Sequence, residues 1–451
     1  ESYYGTVDLS MLPTESISKI TVTKGASSVL YGANTMGGVI NIITKKGEGT
    51  PATEFTASLG NDGAANYVLN HGGSLGALNY WLTYGYRTSD GIRLPDDFDP
   101  TDPVVGIGSD YNEDGGLRDL SDYIKRSLNA KIGYQSNNAS SIYLSFDYHN
   151  NESGVPTQSN RYWRFTKWDQ WQLNLVGQHD VTDNIRIKAR AFYVAHDDKL
   201  EDVSWDEDHT TRKKFFETSA YDDDSRGVEL HGFMDFGKLS DLKIGFNYLR
   251  DIHKEQDFLD EECMDEPGLT DVKESSADTY TLAIENEMKP TDHLSLVIGA
   301  SYDFFEPVKA YDQPVPGAVG TLNPQTGVIY TVSDATSLHA SVGKKTRFPK
   351  LIELYSEHAG GNPDLDPQKT VSYEIGASHS FSQSFSGSVA LFHSDVSDLI
   401  DRKRDEDGNW VFYNLYESTI QGAELSMDFQ PSETFTAHLN YTYMRLSLIH
   451  I

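Results

Sequence analysis

Apolar and polar positions alternate with a period of two along most of the chain. From Leu78 the apolar set is Leu78, Tyr80, Leu82, Tyr84 and Tyr86, separated by Asn79, Thr83 and Gly85, with Trp81 as the exception. Ile142, Leu144, Phe146 and Tyr148 flank Tyr143, Ser145 and Asp147. Ile185, Ile187, Ala189, Ala191 and Tyr193 run against Arg186, Lys188 and Arg190. The same phase returns at Leu242 to Tyr248, Leu338 to Val342 and Phe435 to Tyr443. Alternation of this kind predicts strands with one apolar and one polar face. It fits a soluble sandwich, whose polar face meets bulk water, and equally a barrel whose polar face meets a wet lumen.

Three features favour the barrel. The strands read as roughly 10 to 14 residues, about twice the usual soluble length. Tyr and Phe recur near strand ends, as in an interfacial girdle. Connections alternate between tight and long. Thr182-Asp183-Asn184, Leu239-Ser240-Asp241, Pro290-Thr291-Asp292 and Pro431-Ser432-Glu433 are tight turns. Gly91 to Ser121, Asn150 to Thr166, Glu201 to Ser225 and Asp257 to Lys273 read as long polar loops. About 17 strands follow Pro51 by this count. The fold class is therefore an all-β membrane protein, an antiparallel transmembrane β-barrel.

Composition narrows the field. The chain has 451 residues, with 37 Lys+Arg against 68 Asp+Glu, a formal charge of −31. Such acidity argues against nucleic acid as a partner, because a phosphate backbone needs a basic footprint. Cys263 is the single cysteine, which rules out an intrachain disulfide. No stretch approaches the roughly 18 apolar residues that a membrane helix requires, a test that does not bear on strands. There is no nucleophile elbow, Walker or Rossmann motif, and no enzyme is read here.

Residues 1–50 break the pattern. Ser18 to Thr23 is a short β-prone run, and Lys24 to Thr44 is rich in glycine and ends in a compact apolar strand. The series Ile17, Ile20, Val22, Lys24, Gly25, then Ser28, Leu30, Tyr31, Gly32, then Gly37, Gly38, Val39, Ile40, Asn41, Ile42, Ile43 and Thr44 resembles the end of the plug domain of TonB-dependent outer-membrane receptors. Thr21 stands where that family usually has an acid, and Lys24 where it has Arg. Lys keeps the charge but not the bidentate fork, so no Arg–carboxylate clamp is expected from that position. Arg347-Phe348-Pro349, Glu353-Leu354-Tyr355, Gly361 to Pro367, Tyr373-Glu374 and Gln421 to Leu425 are similar to the family's barrel segments.

The resemblance implies an α+β plug, here its C-terminal part at 1–50, inside a barrel at 51–451. The family's barrel has about 22 strands, so about five more are expected after Met444, together with the earlier part of the plug and a TonB-contact segment. Leu446 to Ile451 departs from the preceding phase and reads as foreign to it. The resemblance also implies active uptake of a scarce metal chelate or cofactor across the outer membrane of a Gram-negative bacterium. Ferric siderophore and cobalamin come first among ligands, and haem after them. The implied partners are TonB, energised by the ExbB–ExbD complex of the inner membrane, the small ligand, and lipopolysaccharide around a monomeric barrel. Its loop residues would be Arg347, Tyr355, His358, Asn362 and Asp364. A passive porin or adhesin, or a soluble β-rich binding protein, is the competing reading.

One further motif carries chemistry. Asp110-Tyr111-Asn112-Glu113-Asp114-Gly115 matches the first half of a calcium loop, with hard oxygens at alternate positions and glycine at the turn. The twelfth position is Ser121, and Asp119 or Asp122 could supply the missing carboxylate. No covalent cofactor is expected. Asp96 to Asp102, Asp222 to Asp224 and Asp257 to Glu266 read as solvated loop charge. An acidic rim of that kind disfavours bare anionic ligands.

Overall fold

The computed structural model describes residues 13–23, 28–98, 115–136, 139–158, 161–203, 216–237, 240–259 and 268–449. Two strands, β1 (Ile17–Thr23) and β2 (Val39–Thr44), pair antiparallel in a small sheet of their own. The wall begins with β3 (Ala52–Leu59), β4 (Ala65–Leu75), β5 (Leu78–Ser89), β6 (Tyr123–Ser136) and β7 (Ser140–Gln158). It continues through β8 (Arg161–Thr182), β9 (Ile185–Asp202), β10 (Thr218–Asp235), β11 (Asp241–Leu259) and the two-residue β12 (Gly268–Leu269). Then come β13 (Lys273–Thr291), β14 (Leu294–Ala310), β15 (Val319–Ser333) and β16 (Thr336–Arg347). After the short helix α1 (Leu351–Tyr355), β17 (Gln368–Ser382), β18 (Phe385–Arg404), β19 (Trp410–Ser432) and β20 (Phe435–Ile449) complete it.

Every long wall strand pairs antiparallel with its sequence neighbours, β11 meeting β13 beside β12. The strand order brings β20 round to β3. No residue register joins those two among the described residues, and β3 is exposed along its whole length. The wall is thus a curled sheet with a seam.

Burial is inverted relative to a water-soluble core. Asp303, Thr83, Asn129 and Asn323 are at most 1% exposed, whereas Ile284, Leu391 and Ile375 are 52 to 61% exposed. Leu82 and Phe246 are on the exposed face with them. The register keeps the phase across neighbours: Ile244 faces Ile284, which faces Ala300, while Lys243 faces Glu285. A sheet with an apolar outside and hydrogen-bonded polar inside is what a bilayer selects, since lipid contributes no partners to polar groups. Trp81, the exception in the alternation, lies inward with its ring under the Lys45 ammonium, 5.4 Å from the ring centre, and donates to Thr83 Oγ1 at 2.9 Å.

Three of the tight turns appear where the sequence places them, and Leu239 of the fourth lies outside the described residues. Two of the long loops do not appear where it places them. Asn150 to Thr166 is mostly the top of β7 and β8, and the acids Asp222 to Asp224 lie on β10. Asp223 and Asp257 are buried rather than solvated. These strands, up to 23 residues in β19, run well past the hydrocarbon. Above the lipid both faces carry polar residues, which removes the alternation that marks a strand in sequence. Leu446 to Ile449 continue β20 in register with β19, Leu446 opposite Ile420.

Ile284→Arg places a guanidinium on the lipid face near the middle of β13. It should lower barrel stability by about 2–4 kcal/mol, read as a shifted urea midpoint in lipid vesicles. An unchanged midpoint would place Ile284 away from lipid.

Candidate functional site

The segment before β2 packs against the inner wall. Ser28 caps a single 3-10 turn at Val29–Tyr31, accepting from Leu30 N at 3.3 Å. Val29 is fully buried, and Val29, Leu30 and Ala283 of β13 form one apolar cluster beside Phe233. Asn247 Nδ2 donates to Leu30 O at 2.7 Å. Gly32 follows at φ +72°, and a Cβ there would come within 2.6 Å of Thr281 Oγ1. Glycine is required at that position by both backbone and space. Asn34, also left-handed at φ 62°, donates its N–H to Thr346 O at 2.9 Å. Its Oδ1 accepts from Phe348 N at 3.0 Å. Thr35 Oγ1 closes the turn on Gly32 O at 2.9 Å.

Lower contacts hold the same segment. Arg87 of β5 grips both oxygens of Glu15 at 2.9 and 2.8 Å, and Lys131 donates to Thr44 O at 3.1 Å. A plug-to-wall Arg–carboxylate clamp therefore exists with the guanidinium on the wall. Sequence carried no signal for it, because nothing in a separation of 72 residues marks the pair. Of the motif residues, Lys24 and Gly25 lie outside the described residues. Tyr31 is 48% exposed, Gly37 has open space around it, Gly38 sits at φ 118°, and Asn41 pairs with Thr21 in the β1–β2 ladder.

Above this apex the chain between β16 and β17 builds the mouth. Phe348 stacks on Phe305 with ring centres 5.1 Å apart, and Leu351, Leu354, Leu365 and Ala277 complete a buried cluster. Arg347 Nη1 donates to both oxygens of Glu353 at 3.0 and 2.9 Å. Its Nε and Nη2 donate to Gln368 Oε1 at 3.2 and 3.1 Å. Glu353 also accepts from Lys350 N at 2.9 Å, capping α1. Asn362 Nδ2 donates to Phe412 O at 3.0 Å, and its Oδ1 accepts from Asp364 N at 3.0 Å. Arg347 and Asn362 thus fold the loop itself, while the Asp364 side chain stays exposed.

Tyr355 and His358 face a different set. On the inner face of upper β11, His253, Glu255 and Asp257 follow one another at alternate positions and are all buried. His253 Nδ1 lies 2.5 Å from Asp223 Oδ1, and His358 Nε2 lies 3.8 Å from Asp257 Oδ2. The Asp257 carboxylate holds the His358 imidazole's pKa above its ordinary value. Burial pushes the Tyr355 phenol up to about 12. Tyr355, His253, Glu255, Lys273 and Glu357 line one small cavity of about 30 Å³. No sequence signal marked this set, because Lys254 and Gln256 between His253, Glu255 and Asp257 are polar too and leave no alternation to mark the strand.

A buried polar column joins mouth and apex. Asp303, fully enclosed, accepts from Thr281 Oγ1 at 2.5 Å, Ser301 Oγ at 2.9 Å and Asn323 Nδ2 at 2.6 Å. Thr346 Oγ1 in turn donates to Asn323 Oδ1 at 2.8 Å. Thr281 is the residue that abuts Gly32, and Thr346 is the one whose carbonyl takes Asn34.

The calcium-type motif at Asp110, Asn112 and Asp114 lies outside the described residues. Of the positions considered for its remaining ligand, Ser121 Oγ donates to Arg118 O at 2.6 Å and accepts from Ile92 N at 2.8 Å. Asp122 accepts from Arg164 at 2.6 Å. Asp119 is engaged by a neighbour as well.

Two family models match the chain. TonB dependent receptor-like, beta-barrel covers residues 106–448, and TonB-dependent Receptor Plug Domain covers residues 1–39. The chain is 24% identical over 440 residues to the vitamin B12 transporter BtuB of Photobacterium profundum, covering 94% of this chain and 62% of that one. It is 24% identical over 461 residues to the iron-regulated outer membrane virulence protein of Vibrio cholerae, covering 96% and 63%. It thus spans about three fifths of the length of these curated relatives. The fold matches the copper transporter OprC at a TM-score of 0.78 and 18% identity, covering 95% of this chain and 67% of that one. It matches the FrpB iron transporter of Neisseria meningitidis at 0.77 and 18%, covering 95% and 68%.

Asn34→Ala leaves the Phe348 N–H without its acceptor, a loss of about 1–3 kcal/mol for a buried donor. Hydrogen exchange at Phe348 should accelerate by roughly fivefold to a hundredfold, with the amides of β14 unchanged. Equal protection in both proteins would mean that Asn34 does not hold the mouth.

Proposed function

The chain belongs to the family of TonB-dependent outer-membrane receptors, and we propose that it takes part in energised uptake of a scarce metal chelate or cofactor. The carrying observation is the docked apex. Residues 28–35 sit against the inner wall through Val29, Gly32 and Asn34, and Asn34 is hydrogen-bonded to Thr346 at the end of β16 and to Phe348 in the mouth loop that follows. A ligand settling at the mouth would press on the Thr346–Phe348 segment, which is also the apex's support. That coupling is what a receptor that reports occupancy needs, and a passive porin has no use for it.

The wide lumen requires a plug, since a barrel of this class is too broad to fill with wall side chains. Opening it costs energy that the described residues do not supply, so TonB, driven by the ExbB–ExbD complex, is the proposed source. The relatives are named for vitamin B12, iron and copper. The acidic inner mouth favours neutral, cationic or metal-bearing ligands over bare anions. Ferric siderophore and cobalamin remain the proposed classes. Lipopolysaccharide around a monomeric barrel in the outer membrane completes the setting.

We also propose that Asp110, Asn112 and Asp114 hold calcium in the loop between β5 and β6. Calorimetry on the receptor should show a calcium site that Asp114→Ala removes, and equal heats from both proteins would return the loop to solvated charge.

The transport reading is tested in two hosts, one with TonB and one without, by following uptake of radiolabelled cobalamin and of iron-55 siderophore mixtures. Accumulation of one ligand in the TonB-bearing host alone supports it. Equal entry in both hosts, saturating with neither ligand, would mark a passive pore.

A further inference from the structure

We propose that Glu255, Asp257 and His358 form a binding site for a divalent first-row transition ion, which ties the loop after α1 to the top of β11. The ligand atoms of the three residues all lie within 4.8 Å of one another. His358 Nε2 and Asp257 Oδ2 are 3.8 Å apart. That is too long for a hydrogen bond. It suits two atoms that share an ion, because bonds of roughly 2.0–2.2 Å place neighbouring ligands about 3 to 4 Å from each other.

A second observation points the same way. Asp257 is 4% exposed, and its Oδ1, the oxygen other than the one facing His358, accepts no hydrogen bond of ordinary length, with the Ser219 hydroxyl of the paired strand near the carboxylate. A buried carboxylate oxygen left without such a bond is costly, and a metal ion would satisfy it. The nearby cation does not, since the Lys273 ammonium is held by Glu357 at 2.7 Å.

The mounting suits the task. Asp257 N donates to Thr270 Oγ1, and Thr270 N donates to Asp257 O, both at 2.9 Å. Two ligands therefore sit on a braced strand, which favours a preorganised site. The third sits on a loop with its side chain 58% exposed, free to close the remaining distance. One imidazole with two carboxylates selects zinc-like ions over calcium, which takes oxygen ligands only in its protein sites. Three protein ligands leave a coordination position open to water or to an incoming ligand. The site is a property of the resting receptor and does not depend on the transport reading.

The test uses receptor purified in detergent, stripped with EDTA, and titrated by calorimetry with zinc chloride and separately with calcium chloride. One zinc equivalent is expected, weakened at least about tenfold by Asp257→Asn and by His358→Ala. His179→Ala on β8 should leave it unchanged. X-ray absorption should show imidazole scattering that His358→Ala removes. Heat-modifiable migration checks folding, and if Asp257→Asn fails that check, the exposed His358→Ala still decides. Undiminished zinc affinity in His358→Ala would overturn the proposal. So would no zinc binding at all, or a calcium site here that ignores His358.

Discussion

Asp303 is a fully buried carboxylate inside a membrane barrel, and it survives there because three donors from three strands converge on it. Burying such a group without partners costs several kcal/mol. Thr281, Ser301 and Asn323 meet that cost from β13, β14 and β15. The same network fixes Thr281 under Gly32 and, through Asn323, fixes Thr346 beneath Asn34. Plug apex, wall and mouth are therefore registered against one buried carboxyl group.

The lumen's polarity follows from the same constraint. Every wall strand must satisfy its backbone within the sheet and present apolar side chains to lipid, so its polar side chains turn inward. There they pair with one another, as Lys243 does with Glu285 at 2.9 Å and Arg190 with Glu229 at 2.9 Å. Toward the mouth, Asp223, Glu255 and Asp257 sit beside His253 and His358.

The barrel was legible because lipid imposes alternation: Leu82, Ile142 and Ile244 declare the outer face by themselves. The plug apex was legible from resemblance, and the structure supplies the reason for Gly32 in the contact with Thr281. The upper strands were not legible, because above the lipid Asp222 and Asp257 sit in extended backbone with polar residues on both faces. Nor was the division of labour in the mouth. Arg347 and Asn362 look like ligand contacts in sequence, but their polar atoms are engaged by Glu353, Gln368 and Phe412. The Glu15–Arg87 clamp joins distant segments by charge alone, and a single sequence holds no trace of such a pairing.

The proposed uptake requires the apex residues to leave the wall. With Cys263 replaced by Ser, a cysteine pair at Asn34 and Thr346 should form a disulfide, since the backbones of these two residues are already hydrogen-bonded at 2.9 Å. Oxidised, this receptor is expected to bind its ligand but import none, and a reductant should restore import. Import at the full rate with the disulfide intact would contradict the account.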